Sequence, residues 1–580
     1  MASRPQLDAP RRTRIGWLGF LLCLLLAQAV PSTGQQPSSE EARRLAAARA
    51  ALEEGQWDDA ALLASGPSQQ SADLDFVAGL ALARLERWSD ARNAFEVGHR
   101  KTPNDARFLK ELAGVAYKQQ KLGSAKRYLH AALKLSPEDA YAHEFLGTIY
   151  FLEGNLEAAL KYWNGIEKPR LHAVAFSPEP VLQDTLLDRA IVFNAPQVLK
   201  RDALLATQAR LNNLDVFPQE RIELIPTNAD EYDATIHLSQ RNGWGDSKLE
   251  GLVSLFSGLP YATVYPEYYN LGHAAVNFTS LARWDPEKRR YRGSLSTPLY
   301  HDPGLRLQFY FDARDENWNL SQTFFTAGTP LTDLNLRRTA GGLEFRPVVN
   351  GLWSWSAGFE IGHRSFRNAA GHTSVAEKPF FSDTASLESW LGVERTLLRL
   401  PEHRFVLNGS VEARGGRNFA AALGPFATLR SSLEAHWLPQ ATGDDYEMQA
   451  QLRAGATAGK ATLDELFQLG VERDNDLWLR GHAGTTGGRK GAAPLGRRYL
   501  LANWEMDKSM YRAGFFTMKL GPFLDGGAIA DSSGLFGSRH WLADAGLQCK
   551  MRVLSGVTVV VSYGRDLRGA RDVIYGTILH

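Results

Sequence analysis

The stretch Leu305-Arg-Leu-Gln-Phe-Tyr-Phe-Asp-Ala-Arg314 decides the architecture. Leu305, Leu307, Phe309, Phe311 and Ala313 alternate with Arg306, Gln308, Tyr310, Asp312 and Arg314. A period of two puts each set on one face of a β-strand. The same beat returns in Trp353–Ile361, Phe405–Arg414, Tyr446–Arg453 and Val557–Tyr563, and no long amphipathic helix is legible between Trp244 and His580. One apolar and one polar face would suit a soluble sandwich or a membrane barrel with lipid outside and a wet lumen. The size of the region favours the barrel. Roughly sixteen strands of about ten residues fit it, with about a dozen residues per connection. Closure also pairs the strand edges that lipid cannot satisfy.

Composition narrows the rest. The chain has 580 residues, 65 Lys plus Arg against 64 Asp plus Glu, and a formal net charge of +1, so no basic surface argues for nucleic acid. A mean hydropathy of −0.28 excludes a polytopic helical membrane protein. Two cysteines exclude a disulfide scaffold and a Cys-rich metal site. At the start, Arg11, Arg12 and Arg14 precede the apolar run Ile15–Leu26 and the small-x-small site Ala27-Gln-Ala29. That order predicts a secretory signal peptide over 1–29, because the run is shorter than the roughly 20 residues a membrane anchor needs. Residues 30–39 read as a flexible leader. Cleavage would leave Cys549 as the one thiol.

From 40 to 166 a period of 34 is visible. Ala91, Ala125 and Ala159 are so spaced, with Gly79, Ala113 and Gly147 before them and Phe95, Leu129 and Trp163 after. Pro103 and Pro137 mark repeat ends. The small residue on the first helix of a pair lets the second approach, and the Pro ends the second helix. This stretch resembles tetratricopeptide helix pairs, which implies a concave surface for peptides or proteins. An earlier, shorter unit (Glu53–Ala60) is expected to cap the array.

Residues 167–243 change character. A short strand over Leu171–Phe176, two Leu-rich helical stretches and two alternating runs, Arg221–Ile225 and Tyr232–Ser239, give the order β-α-α-β-β. This order resembles a POTRA domain, a periplasmic module that receives extended chains by adding a strand at its edge.

Near the end, Asp476-Leu-Trp-Leu-Arg-Gly-His482 and a Gly-rich run precede Phe523-Leu-Asp-Gly-Gly527. The two motifs resemble those of the BamA/TamA surface-antigen superfamily, in which a sixteen-stranded barrel follows periplasmic POTRA domains. The resemblance covers 167–580. It implies that Leu479, Arg480, Gly481 and His482 form the tip of a lumen loop, and that Arg480 pairs with Asp525, with Gly527 allowing close backbone approach. His482 departs from the family's aromatic, the chain does not end on an aromatic, and one POTRA stands where several are common. The whole is thus expected to be a tetratricopeptide solenoid (40–166), a POTRA-like domain (167–243) and a sixteen-stranded antiparallel barrel (244–580).

Signatures of chemistry are missing. Gly484-Thr-Thr-Gly-Gly-Arg-Lys-Gly491 fails the spacing of a phosphate loop. No His-Glu-x-x-His cluster suggests a catalytic metal, and no Gly-x-Ser-x-Gly elbow is present. No catalytic residue, cofactor or metal is expected. The resemblance implies an outer-membrane protein with periplasmic N-terminal domains that captures unfolded or partly folded client proteins and passes them into or across the bilayer. Its partners would be the lipid bilayer, the clients and further periplasmic proteins held by the repeats. A passive conduit or scaffold for polysaccharide or other export is the alternative.

Overall fold

The computed structural model describes residues 39–66, 71–228, 231–322, 329–371, 379–514, 516–531, 541–553 and 557–579. The expected signal peptide and all but the last residue of the leader lie outside them. The chain divides into two units, 1–146 with 226–231, and 147–225 with 232–580.

In the first unit, Ser39–Glu53 and Trp57–Ala64 make an opening helix pair. The first helix therefore already includes Ser39, the last residue of the expected leader. Two full repeats follow, Ala72–Arg84 with Trp88–Lys101 and Ala106–Lys118 with Leu122–Leu135. The 34-residue beat has a direct cause. A methyl added at Gly79 would lie 2.4 Å from the Phe95 ring, so the large residue of one helix occupies the space the small one leaves. Ala91, Ala113 and Ala125 are all fully buried. The helix Ala140–Leu152 enters the second unit, and there Gly147 meets Trp163 of Leu156–Trp163 at the same 2.4 Å, with Ala159 buried beside it.

The small module forms as expected: Arg170–Ser177, Asp184–Ala190, Arg201–Leu214, Gln219–Pro226 and Glu231–Ser239. Its sheet places the last strand between the other two. The second Leu-rich stretch forms the helix Arg201–Leu214 only after the irregular residues 191–200, which turn at 195–197 and bury Leu199. Polar contacts seat this module on the turns of the barrel. Arg189 Nη1 donates to Tyr300 O at 2.8 Å, Asn213 Nδ2 to Pro303 O at 2.8 Å, and Arg306 Nη2 to Asp215 at 2.9 Å. The last repeat helix grips another turn. Arg399 clasps Glu157 through two bonds of 2.7 and 2.8 Å, and Glu402 receives Lys161 and the Tyr162 hydroxyl.

The remainder is one antiparallel sheet closed into a barrel. It starts with an interrupted strand, Thr263–Val264 plus Glu267–Leu271, both parts pairing Val276–Trp284. Neighbours then pair in chain order through to Asp572–Leu579, with residues 460–497 looping between Tyr446–Gly459 and Arg498–Ala513. Counting the interrupted strand once, the described residues supply fifteen of the sixteen strands expected. Residues 244–262, expected to open the barrel, instead hold the helix Lys248–Phe256 and the short turn Leu259–Tyr261. An odd number of antiparallel strands leaves the first and last running the same way. At their join, the Tyr261 hydroxyl donates to Gly576 O at 3.1 Å. Strand lengths also differ from the expected ten, because several reach 17–22 residues and the turns are correspondingly short.

Burial is inverted relative to a soluble protein. Leu295, Phe309, Phe359, Leu391, Leu429 and Leu547 are exposed, while Asp312, Glu360, Glu388, Asp507 and Asp544 are buried. An apolar outer surface around a charged interior fits a wall that meets lipid. Among the described residues no helix is long and apolar enough to cross a membrane.

Candidate functional site at the lumen-loop tip

Residues 460–497 fold back against the inner wall, and charged contacts fix them at three places. At the first, Arg364 Nε donates to Asp464 at 2.6 Å; the same guanidinium contacts Glu465 and reaches Glu388 at 3.1 Å. At the second, Asp474 accepts from Arg283 at 2.7 Å and Arg290 at 2.6 Å, while Lys288 reaches Glu472 at 3.1 Å. Lys490, farther along the loop, donates to Glu316 at 2.7 Å.

The third is the tip. The register aligns Asp525, Asp544 and Asp566 as a row across three neighbouring strands, Phe516–Ala530, Leu542–Val553 and Val557–Asp566. Arg480-Gly481-His482 lies along this row. Arg480 gives Asp525 three bonds: backbone N–H at 3.0 Å, Nε at 2.9 Å and Nη2 at 2.7 Å. Its Nη1 donates to Glu505 and to Gln548, both at 2.8 Å. The guanidinium carbon stands 3.8 Å from the Phe523 ring centroid, a cation–π contact. Asn503 Nδ2 completes Asp525 at 2.7 Å. Gly481 N donates to Asp544 Oδ2 at 2.6 Å. His482 lies between two carboxylates, Nδ1 at 3.1 Å from Asp544 and Nε2 at 3.6 Å from Asp566.

The glycines follow from the crowding. A Cβ on Gly481 would meet Asp566 N at 2.6 Å, and one on Gly564 would meet Arg480 O at 2.2 Å. Gly527 is looser, its nearest neighbour being the Leu479 side chain at 3.1 Å. Leu479 is fully buried with Leu469, Leu477 and Leu501. The structure thus brings Leu479, Arg480, Gly481, His482, Asp525 and Gly527 together. The repeat residues Gly79, Ala91, Ala113, Ala125, Gly147 and Ala159 form helix contacts elsewhere.

Sequence reasoning did not find Glu505, Gln548, Asp544, Asp566 or Gly564, nor the two other anchor points. Only the strand register brings them to the tip. The Gly-rich run is a two-residue hairpin, Thr485–Thr486 with Arg489–Lys490, turning on Gly487 and Gly488 at φ 58° and 84°. His482, Asp544 and Asp566 also form the one group of at least three potential metal ligands among the described residues.

A tetratricopeptide repeat model matches residues 110–167. No curated protein matches the sequence. Among solved structures, the chain is similar to BamA from Haemophilus ducreyi lacking POTRA domains 1–3, at 13% identity over 71% of this chain and 84% of that one, TM-score 0.41. It is similar to CdiB from Escherichia coli at 13% identity over 71% and 76%, TM-score 0.48. CdiB from Acinetobacter baumannii matches at 14% over 78% and 81%, TM-score 0.42. The class is a large antiparallel barrel preceded by tetratricopeptide repeats, and the barrels it is similar to are of the BamA and CdiB type.

Proposed function

We propose that this chain is an outer-membrane insertion or translocation factor. Its helical repeats and POTRA-like module stand in the periplasm and capture unfolded or partly folded client proteins. The barrel, of the sixteen-stranded kind with 244–262 in place of one strand, passes them into or across the bilayer. No bond is made or broken. The observation that carries this reading is the lumen loop, which is anchored at three charged sites and crosses a space that a passive conduit would keep open. The join between the end strands, bridged by Tyr261 and Gly576, is the seam we assign to client entry. The exposed edges of the three-stranded sheet offer main-chain donors and acceptors to an extended client.

The test is reconstitution of the full chain into vesicles, following the folding rate of an added outer-membrane protein. Acceleration over empty vesicles is expected, together with low steady conductance in planar bilayers. A wide, constant ion conductance without acceleration would replace this reading with the conduit.

A further inference from the structure

We propose that the inner wall of the barrel carries a binding site for an extended acidic polypeptide segment, and that the lumen loop fills this site as an internal stand-in. This deepens the proposed function by naming the chemistry of the client, and rests on that reading. The site is a row of arginines. Strand register sets Arg283 opposite Arg290, Arg290 opposite Arg314, Arg314 opposite Arg338 and Arg338 opposite Arg364, on five neighbouring strands. Like charges directly opposite one another destabilise a sheet. Five in succession therefore need anions along the whole row.

The wall meets that need in part. Asp312 accepts from Arg290 Nη2 at 2.6 Å and from Arg314 Nη2 at 2.7 Å, and Glu360 accepts from Arg338. Glu388 accepts from Arg364 at 3.1 Å while also serving Arg414 at 3.3 Å. The loop supplies three more carboxylates, at the two ends of the row. Asp474 spans Arg283 and Arg290, and Asp464 and Glu465 close on Arg364. With the loop lifted, the five guanidiniums would keep these three wall carboxylates, one of them shared.

The seated loop also fits the row imperfectly. Asp464 stands 3.5 Å from Arg338 Nε, and that buried nitrogen has no hydrogen-bond partner. Arg314, in the middle, has the most exposed side chain of the five, at 23%. An incoming chain thus has a foothold at the centre before either end is released. The carboxylates already seated belong to a polypeptide, in the short runs Asp464-Glu465 and Glu472-Arg-Asp474, so a polypeptide of the same chemistry can take their place. Four steps between strands about 4.8 Å apart make a row of roughly 19 Å, which about six extended residues would span. Guanidinium forks match such carboxylates two bonds at a time. The Arg480–Asp525 contact lies on other strands and can hold the tip while the row anchors exchange.

The test neutralises the stand-in. The full-length chain in nonionic micelles, and its variant carrying Asp464→Asn, Glu465→Gln and Asp474→Asn, are titrated with a dye-labelled octaglutamate peptide and followed by fluorescence anisotropy. A tethered competitor holds an advantage of about 100-fold or more, so affinity should rise by at least that factor in the variant. Adding Arg314→Gln and Arg338→Gln should return it to the level of the unaltered chain. Retention of the heat-modifiable folded band on gels checks that each variant folds. A second measurement needs no substitution. Saturating octaglutamate should speed hydrogen exchange at 463–466 and 472–475 of the unaltered chain and leave 477–484 as it was. Unchanged affinity in the folded loop variant overturns the proposal, and if that variant does not fold, unchanged exchange does. Binding that the arginine substitutions leave intact overturns it too. Oligogalacturonate releasing the loop where octaglutamate does not would give the row to an acidic polysaccharide and end the peptide assignment. Binding is read without vesicles. A chain that binds octaglutamate at the row but speeds no folding refutes the proposed function alone, whereas one that speeds folding yet fails these measurements refutes the row alone.

Discussion

Replacing Arg480 with alanine tests the tip most directly. Arg480 serves three acceptors, and Asp525, whose side chain is fully buried, receives two of its side-chain bonds. Removing one partner of a buried ion pair costs about 3–5 kcal/mol, because the other charge is left uncompensated. Asp525 would keep Asn503 and the backbone N–H of residue 480. Glu505 would keep Lys550. The lower end of the range applies, about 3 kcal/mol. At about 1.4 kcal/mol per factor of ten, the tip should open roughly 100-fold more often. Hydrogen exchange of peptides spanning 477–484 reads this, since the amides of Arg480 and Gly481 bond only to carboxylates on the wall. Protection there should fall by about that factor, while 463–466 and 472–475 keep theirs through their own anchors. Asp525→Ala and the double variant complete a cycle, and the two single effects should overlap strongly. Unchanged protection at the tip, or strictly additive losses, would refute the account of the pair.

Three further outcomes follow from contacts elsewhere. Gly147→Val should destabilise the last repeat by about 1–3 kcal/mol, because the added carbon meets the Trp163 ring; helical circular dichroism on heating measures it. Burial alone would raise the Glu402 pKa, but Lys161, a backbone N–H and the Tyr162 hydroxyl outweigh it and hold the carboxyl below its usual value. A group held low contributes fully above its free value of about 4.3 and loses that contribution as pH falls through the folded value. The grip of the last repeat helix on the Pro401–His403 turn should therefore loosen only below that range. Spin-label distances between residue 160 and the turn, taken at pH 7 and pH 3.5, should broaden in the acid sample, and Lys161→Met should abolish the pH effect. Leu391→Arg on the outer face should cost about 2–4 kcal/mol if the site lies at the bilayer midplane, read as the equilibrium of refolding into vesicles. Equal refolding would place that face away from lipid.

Much of the architecture was legible because its causes are local. A helical repeat writes its contacts at fixed spacing, so Gly79 and Phe95, or Gly147 and Trp163, mark each other in the chain. A strand with one wet face alternates wherever it lies. The Arg480–Asp525 contact came from motif resemblance, since 45 residues separate the two and no periodicity links them. The rest depended on register. Asp544 and Asp566 stand in unremarkable strand sequence and acquire meaning only when three strands align them. Glu472, Asp474, Asp464 and Glu465 are short acidic runs of the kind expected in solvent. They are buried because arginines and lysines on distant strands meet them. The helix Lys248–Phe256 is little more than two turns, too short for an amphipathic period to show, and its Leu249, Leu252 and Phe256 are exposed.

The chemistry of these anchors also says what kind of fixture the loop is. Buried ion pairs seldom add net stability over well-packed apolar residues, because desolvation consumes most of the attraction. Leucines would have held the loop at least as firmly. Charged pairs fix position instead, since a guanidinium fork and a carboxylate tolerate little sliding. They also leave an escape that an apolar plug lacks, because water entering the lumen can solvate both partners as they part. A loop held by three such contacts is accurately placed and separable one anchor at a time. At the tip, Arg480 satisfies Asp525 fully, whereas His482 leaves an oxygen of Asp544 unmet. Of the three aspartates in the row, the first is engaged through both oxygens and the second through one.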